Sequence, residues 1–216
     1  MVGRMVIAAA ALALAASQAG AQSLRAMPQA PRLGLSGALR APAGPAPALP
    51  YAATPALKRQ VLSEFIERVR AKDPAAAEQA AEQFARHDYA RIYQGIVAPF
   101  GLSANDAGDA VAAYTVLGWL IATGAPDPRP AAVRAARAQV AAQLAAEPRV
   151  GAPGVRAALG EEFKILFVTL HAGWQSARRE GNLRQYADGV QRMFQQQSGL
   201  DLRSLELTAG GFQAAG

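Results

Sequence analysis

Four stretches of the chain carry large apolar residues at helical spacing. Leu57, Val61, Leu62, Phe65, Ile66 and Val69 share one side of a 3.6-residue wheel. Tyr89, Ile92, Tyr93, Ile96 and Val97 form a second stripe. Leu159, Phe163, Leu166, Phe167, Leu170 and Trp174 form a third, with Ile165 and Val168 toward the opposite side. Leu183, Tyr186, Ala187, Val190, Met193 and Phe194 form a fourth. Between the second and third lies a stretch with no polar face in its second half, where Val111, Tyr114, Val116, Leu117, Trp119, Leu120 and Ile121 point all round. A helix apolar on every side is central or membrane-spanning. The uncharged run 110–126 has only 17 residues and contains two threonines and two glycines, short of the roughly 20 that a bilayer needs, so a central helix is expected.

Boundary residues divide these stretches into seven helices. Thr54 is a good N-cap and Pro55 suits the first helical position. Asp73-Pro74 ends the first helix and opens an alanine-rich second through Phe84, and Asp88 caps the third. Pro99 and Gly101 break the third. Ser103, with Asp106 three residues on, resembles a capping box and predicts a fourth helix over 104–123, closed by Gly124 and Pro126. An Ala/Arg-rich fifth helix over 130–146 is expected on the surface. The sixth, over 155–180, is the longest. Gly181 suits a left-handed C′ position, and Asn182 is placed to cap the seventh helix in a tight hairpin that runs to Gly199. Residues 200–208 alternate apolar and polar but have no evident partner strand, so an extended or 3₁₀ strap is expected there, followed by a frayed tail over 209–216. The fold class is therefore all-α: an irregular orthogonal bundle of six or seven helices over 54–208, with the fourth and sixth at its centre.

The part before Thr54 differs. Arg4, the 12-residue apolar run 5–16 and the small residues of Ala19-Gly20-Ala21 follow the pattern of a secretory signal peptide over 1–21, cleaved before Gln22. Residues 22–53 hold six prolines and three glycines without apolar periodicity, the composition of a disordered Pro/Ala-rich linker. The destination expected is the periplasm or the exterior, with no stable membrane span after signal cleavage.

The chain has 216 residues and a formal charge of +6, but the basic residues are interleaved with acids and no run of five or more Lys/Arg occurs. The clustered footprint of a nucleic-acid binder is missing, so nucleic acid is not expected as a partner. With no cysteine, disulfides, thiolate metal sites and a cysteine nucleophile are excluded. Much of the 51% hydrophobic content is alanine and only 6% is aromatic, which suits close helix packing.

Candidate chemistry is sparse. The two histidines, His87 and His171, lie in neither an H-E-x-x-H nor an E-x-x-H pattern, and no Gly-rich phosphate loop or nucleophile elbow is present. No metal, cofactor or catalytic constellation is therefore expected. On the sixth helix, Glu161, Lys164, His171, Gln175 and Arg178 share a stripe beside the core face, with Trp174 three residues beyond His171. This stripe reads either as a groove for an anionic or peptide ligand or as a polar seam between helices. The block from Arg178 to Arg184 reads either as an anion site at a helix N-terminus or as a solvated hairpin corner. The ligand-binding candidates are His171, Trp174, Gln175, Arg178 and Arg184. Glu161 and Glu162 would serve as a general acid if one were buried beside Phe163, although glutamates also suit the start of a helix.

The blocks Ala90-Arg91-Ile92-Tyr93, Val116-Leu117-Gly118-Trp119 and Phe167 to Gln175, continuing to Gly181-Asn182, resemble an uncharacterised family of exported proteobacterial helical proteins, a domain of unknown function. The resemblance spans 54–208; it implies export and a shared helical domain, and supplies no activity. The function expected is an exported, non-enzymatic binding or interaction module of the bacterial envelope, with an envelope protein or peptide as partner. The alternative is a cell-envelope hydrolase working through an isolated glutamate or His171.

Overall fold

The structure, a computed structural model, describes Met27 and residues 45–216. The signal peptide expected over 1–21 and most of the expected linker lie outside the described residues. The described chain forms seven α-helices: α1 (Pro55–Arg70), α2 (Pro74–Arg86), α3 (Tyr89–Val97), α4 (Ala107–Thr123), α5 (Pro130–Ala146), α6 (Pro153–Glu180) and α7 (Leu183–Ser198). Two short strands, β1 (Leu205–Thr208) and β2 (Gly211–Ala214), follow. The all-α bundle expected from apolar spacing is the fold observed.

Local chemistry explains most boundaries. Thr54 Oγ1 accepts the Leu57 N–H (3.2 Å), Asp73 Oδ1 accepts that of Ala76 (3.0 Å), and Asp88 Oδ1 accepts that of Ala90 (2.8 Å). Gly124, Gly181 and Gly199 end α4, α6 and α7 at positive φ. Two caps differ from expectation. α4 starts at Ala107, capped by Asp106 rather than Ser103, because the Asp106 carboxylate takes the Asp109 N–H on one oxygen (3.1 Å) and the Leu49 N–H on the other (2.7 Å). The Ser103 hydroxyl makes only a local turn, its Oγ accepting from Asn105 N, while the Ser103 N–H donates to the Asp109 carboxylate (2.6 Å). Asn182 gives α7 no side-chain cap; its amide donates to Glu180 instead.

α4 lies at the centre, buried throughout from Ala107 to Ala122 beneath α5, α6 and α7. α6 packs on α1, α3, α4 and α7. Three glycines let aromatic rings enter these helices: a Cβ would lie 2.4 Å from the Phe194 ring at Gly118, 2.3 Å from Tyr51 at Gly160 and 2.3 Å from the Tyr186 hydroxyl at Gly173. No described helix is long and apolar enough to cross a membrane.

Three expectations are corrected. α5 is not a surface helix: Ala132, Val133, Ala136, Val140, Ala141 and Leu144 are buried against α4 and the strands. Alanine hides this face in the sequence because it adds little apolar signal while allowing close approach. The alternating segment does have a partner, since β2 pairs antiparallel with it in the register Leu207↔Phe212, so 209–216 is not a frayed tail. Phe212 is buried, and Gln139 on α5 accepts its N–H (2.8 Å) and donates to its carbonyl (3.0 Å), completing the strand edge with a side-chain amide. Finally, residues 45–53 belong to the folded domain rather than to a linker ending at 53: Leu49 is buried, and this strap bridges to the turn before α4.

Candidate functional site

Spacing of three, four and seven residues brings His171, Trp174, Gln175 and Arg178 onto one face of α6. The imidazole lies parallel to Phe167 (6.3 Å between centroids) and meets Trp174 edge-on (6.0 Å, 71°). Gln175 Nε2 is 3.4 Å from His171 Nε2. The Arg178 guanidinium lies 5.1 Å over the indole, a cation–π contact that holds it in place. Burial, with the Arg178 charge adding to it, pushes the His171 pKa down to about 4, so the ring is neutral at pH 7 and offers one donor and one acceptor. Trp174 and Gln175 are half-buried and Arg178 is exposed. The face thus presents a flat apolar ring, a fixed cation and an amide together. Arg184 stands exposed on α7 and acts electrostatically on Asp188. Leu183, expected in the buried stripe of α7, is 39% exposed.

The two other members of the expected polar stripe lie inside. Glu161 and Lys164 are both wholly buried, with Lys164 Nζ 2.6 Å from Glu161 Oε1. The Tyr89 hydroxyl donates to Glu161 Oε2 at 2.6 Å, and the Tyr51 ring covers Lys164 at 5.5 Å. Burial lowers the Lys164 pKa, opposed by the Glu161 carboxylate, and raises the pKa of both tyrosines. Because both Glu161 oxygens are engaged behind a closed surface, no substrate atom reaches them in this conformation. Glu162 instead pairs with Arg68 at 2.6 Å, and burial raises its pKa despite that charge. The Lys164–tyrosine cluster was not legible in the sequence, since Tyr51, Tyr89 and α6 meet only through long-range packing.

A third polar group ties the strap down. Arg137 on α5 bonds Asp109 (2.5 Å), Asp106 (3.1 Å) and the Pro47 carbonyl (2.9 Å). Burial raises the Asp109 pKa, while the Ser103 N–H and Arg137 oppose the shift. Every member has a partner, so this group organises the backbone rather than offering an open site. Among the described residues no three His, Cys, Asp or Glu side chains are grouped to hold a metal ion. Comparison of the chain with protein-family models, with curated proteins and with solved structures returned no match.

Proposed function

We propose that this chain is an exported, non-enzymatic binding module of the bacterial envelope that takes an anionic or peptide ligand on the His171–Trp174–Gln175–Arg178 face of α6. The observation that carries this reading is the Arg178 guanidinium held 5.1 Å over a partly exposed indole, with the Gln175 amide beside it. A guanidinium fixed on an aromatic ring keeps its outer N–H donors aimed at solvent, where a carboxylate fits in the plane of the fork. Trp and Arg are also the side chains that most often concentrate binding energy in an interface. Export rests on the apolar run 5–16 and the small residues of Ala19-Gly20-Ala21, and kinship with exported proteobacterial proteins rests on the sequence blocks quoted above. The hydrolase alternative has less support, because Glu161 is wholly buried between Lys164 and Tyr89.

The test compares the wild-type chain with Trp174→Ala and Arg178→Glu as baits in an envelope extract. A specific species retained by wild type and lost with both variants, at unchanged helical content, is the expected result. Equal retention by all three proteins overturns the assignment of the face. Export is tested separately by N-terminal sequencing of the secreted or periplasmic product, which should begin at Gln22; a product beginning at Met1 refutes it.

A further inference from the structure

The strap carries Tyr51 into a place that the helices have shaped around one aromatic ring. Gly160 clears the floor of this slot, since a Cβ there would lie 2.3 Å from the ring. Lys164 Nζ faces the ring at 5.5 Å. The hydroxyl is bordered by the Ala104 carbonyl (3.4 Å) and by the Glu161 carboxylate. A cation for the π-face and two acceptors for the hydroxyl are what a phenol requires. Lys164 has three N–H donors, of which one reaches Glu161 while the Tyr51 ring covers the ammonium. Removing that ring would leave a buried cation facing an opening one ring wide.

The strap belongs to no helix or sheet and is held by a short set of ties. Its ties are Leu49 N to Asp106 (2.7 Å), Ala107 N to the Leu49 carbonyl (3.0 Å), Tyr51 N to the Asn105 carbonyl (3.0 Å), the Arg137 bond to Pro47 (2.9 Å), the buried Leu49 side chain, and the Tyr51 ring in its slot with its hydroxyl on the Ala104 carbonyl (3.4 Å). None of the helices has to unwind for these to part, and segments held by few contacts open at far lower cost than a core. We propose that residues 45–53 are a displaceable lid, and that Tyr51 stands in for a small phenolic ligand of the slot formed by Gly160, Glu161 and Lys164. This is independent of the outer face of α6, because Lys164 lies about two helical turns before His171.

The chain has only three lysines, Lys58, Lys72 and Lys164, so amine acetylation read by mass spectrometry resolves each one. In the full chain, Leu49→Ala weakens the lid without touching the slot. Acetylation of Lys164 and amide exchange at Tyr51 and Ala107 should rise together, roughly tenfold or more, while the amides of Leu166 and Leu170 are unchanged. If Lys164 instead follows Leu166 and Leu170, it is uncovered only by global unfolding and the lid is refuted. In Tyr51→Ala, 4-methylphenol should protect Lys164 from acetylation and bind about tenfold more tightly than toluene, which lacks the hydroxyl. Equal protection by the two compounds, or none, refutes a phenol site. In the unaltered protein, 4-methylphenol should speed exchange at Tyr51 by capturing the open lid; an unchanged rate at concentrations that saturate the variant also refutes it.

Discussion

At the scale of single residues, the glycines of the central helices matter through what enters beside them. In an exposed helix, Gly→Ala stabilises by about 1 kcal/mol. At Gly173 the added methyl would meet the Tyr186 hydroxyl, which bonds the Leu170 carbonyl at 2.9 Å. Gly173→Ala is therefore expected to destabilise by about 1–3 kcal/mol, measured by urea unfolding. His171 provides a second residue-scale prediction. Its folded pKa of about 4 lies below the ordinary 6.5, so as pH falls the unfolded chain takes up the proton first. The resulting stability is present above pH 6.5 and is lost as pH falls toward 4. Allowing for partial exposure, the loss is about 2 kcal/mol. His171→Phe should remove that part of the difference between urea midpoints at pH 7 and pH 4.5; an identical difference in the variant counts against it.

At the scale of elements, the β-hairpin depends on side chains from two helices. Two strands of four residues have little stability alone. Here the Trp119 indole N–H donates to the Leu205 carbonyl (3.0 Å), and Gln139 bonds both backbone groups of Phe212. Gly211 sits at φ 99°, where a Cβ would lie 2.3 Å from Gln139 Oε1. Gln139→Ala strands the Phe212 N–H and carbonyl, at about 1–3 kcal/mol each. Hydrogen exchange should show faster exchange at Phe212 and unchanged exchange in α6; uniform acceleration would mean that the hairpin and bundle open as one unit.

At the scale of the whole molecule, the buried Glu161–Lys164 pair joins α6, α3 and the strap. A fully buried ion pair is poor evidence for stability, but removal of one partner leaves an unpaired charge. Glu161→Leu should therefore destabilise by about 3–5 kcal/mol, and adding Lys164→Met should recover most of that loss. A double-mutant cycle in urea measures the coupling, and additive losses would show that the two side chains act separately. The same cluster explains why the strap belongs to the domain, since the Tyr51 ring lies over Lys164 and directly against Gly160.

Periodicity, caps and helix breakers in the chain itself were enough to specify six or seven helices, the left-handed Gly181 and the central place of α4 and α6, because these follow from patterns within a few residues. The grouping of His171, Trp174, Gln175 and Arg178 was legible for the same reason: helical spacing alone puts them on one face. Tertiary packing decided the rest. It alone buried Glu161 with Lys164, recruited Asp106 as a cap by giving its carboxylate further donors, turned alanine-rich α5 into a core helix and gave 205–208 a partner strand held by Gln139. Whether a polar side chain faces water or a distant tyrosine depends on which helices meet there, and a local pattern carries no information about a contact 72 residues away, such as that between Tyr89 and Glu161.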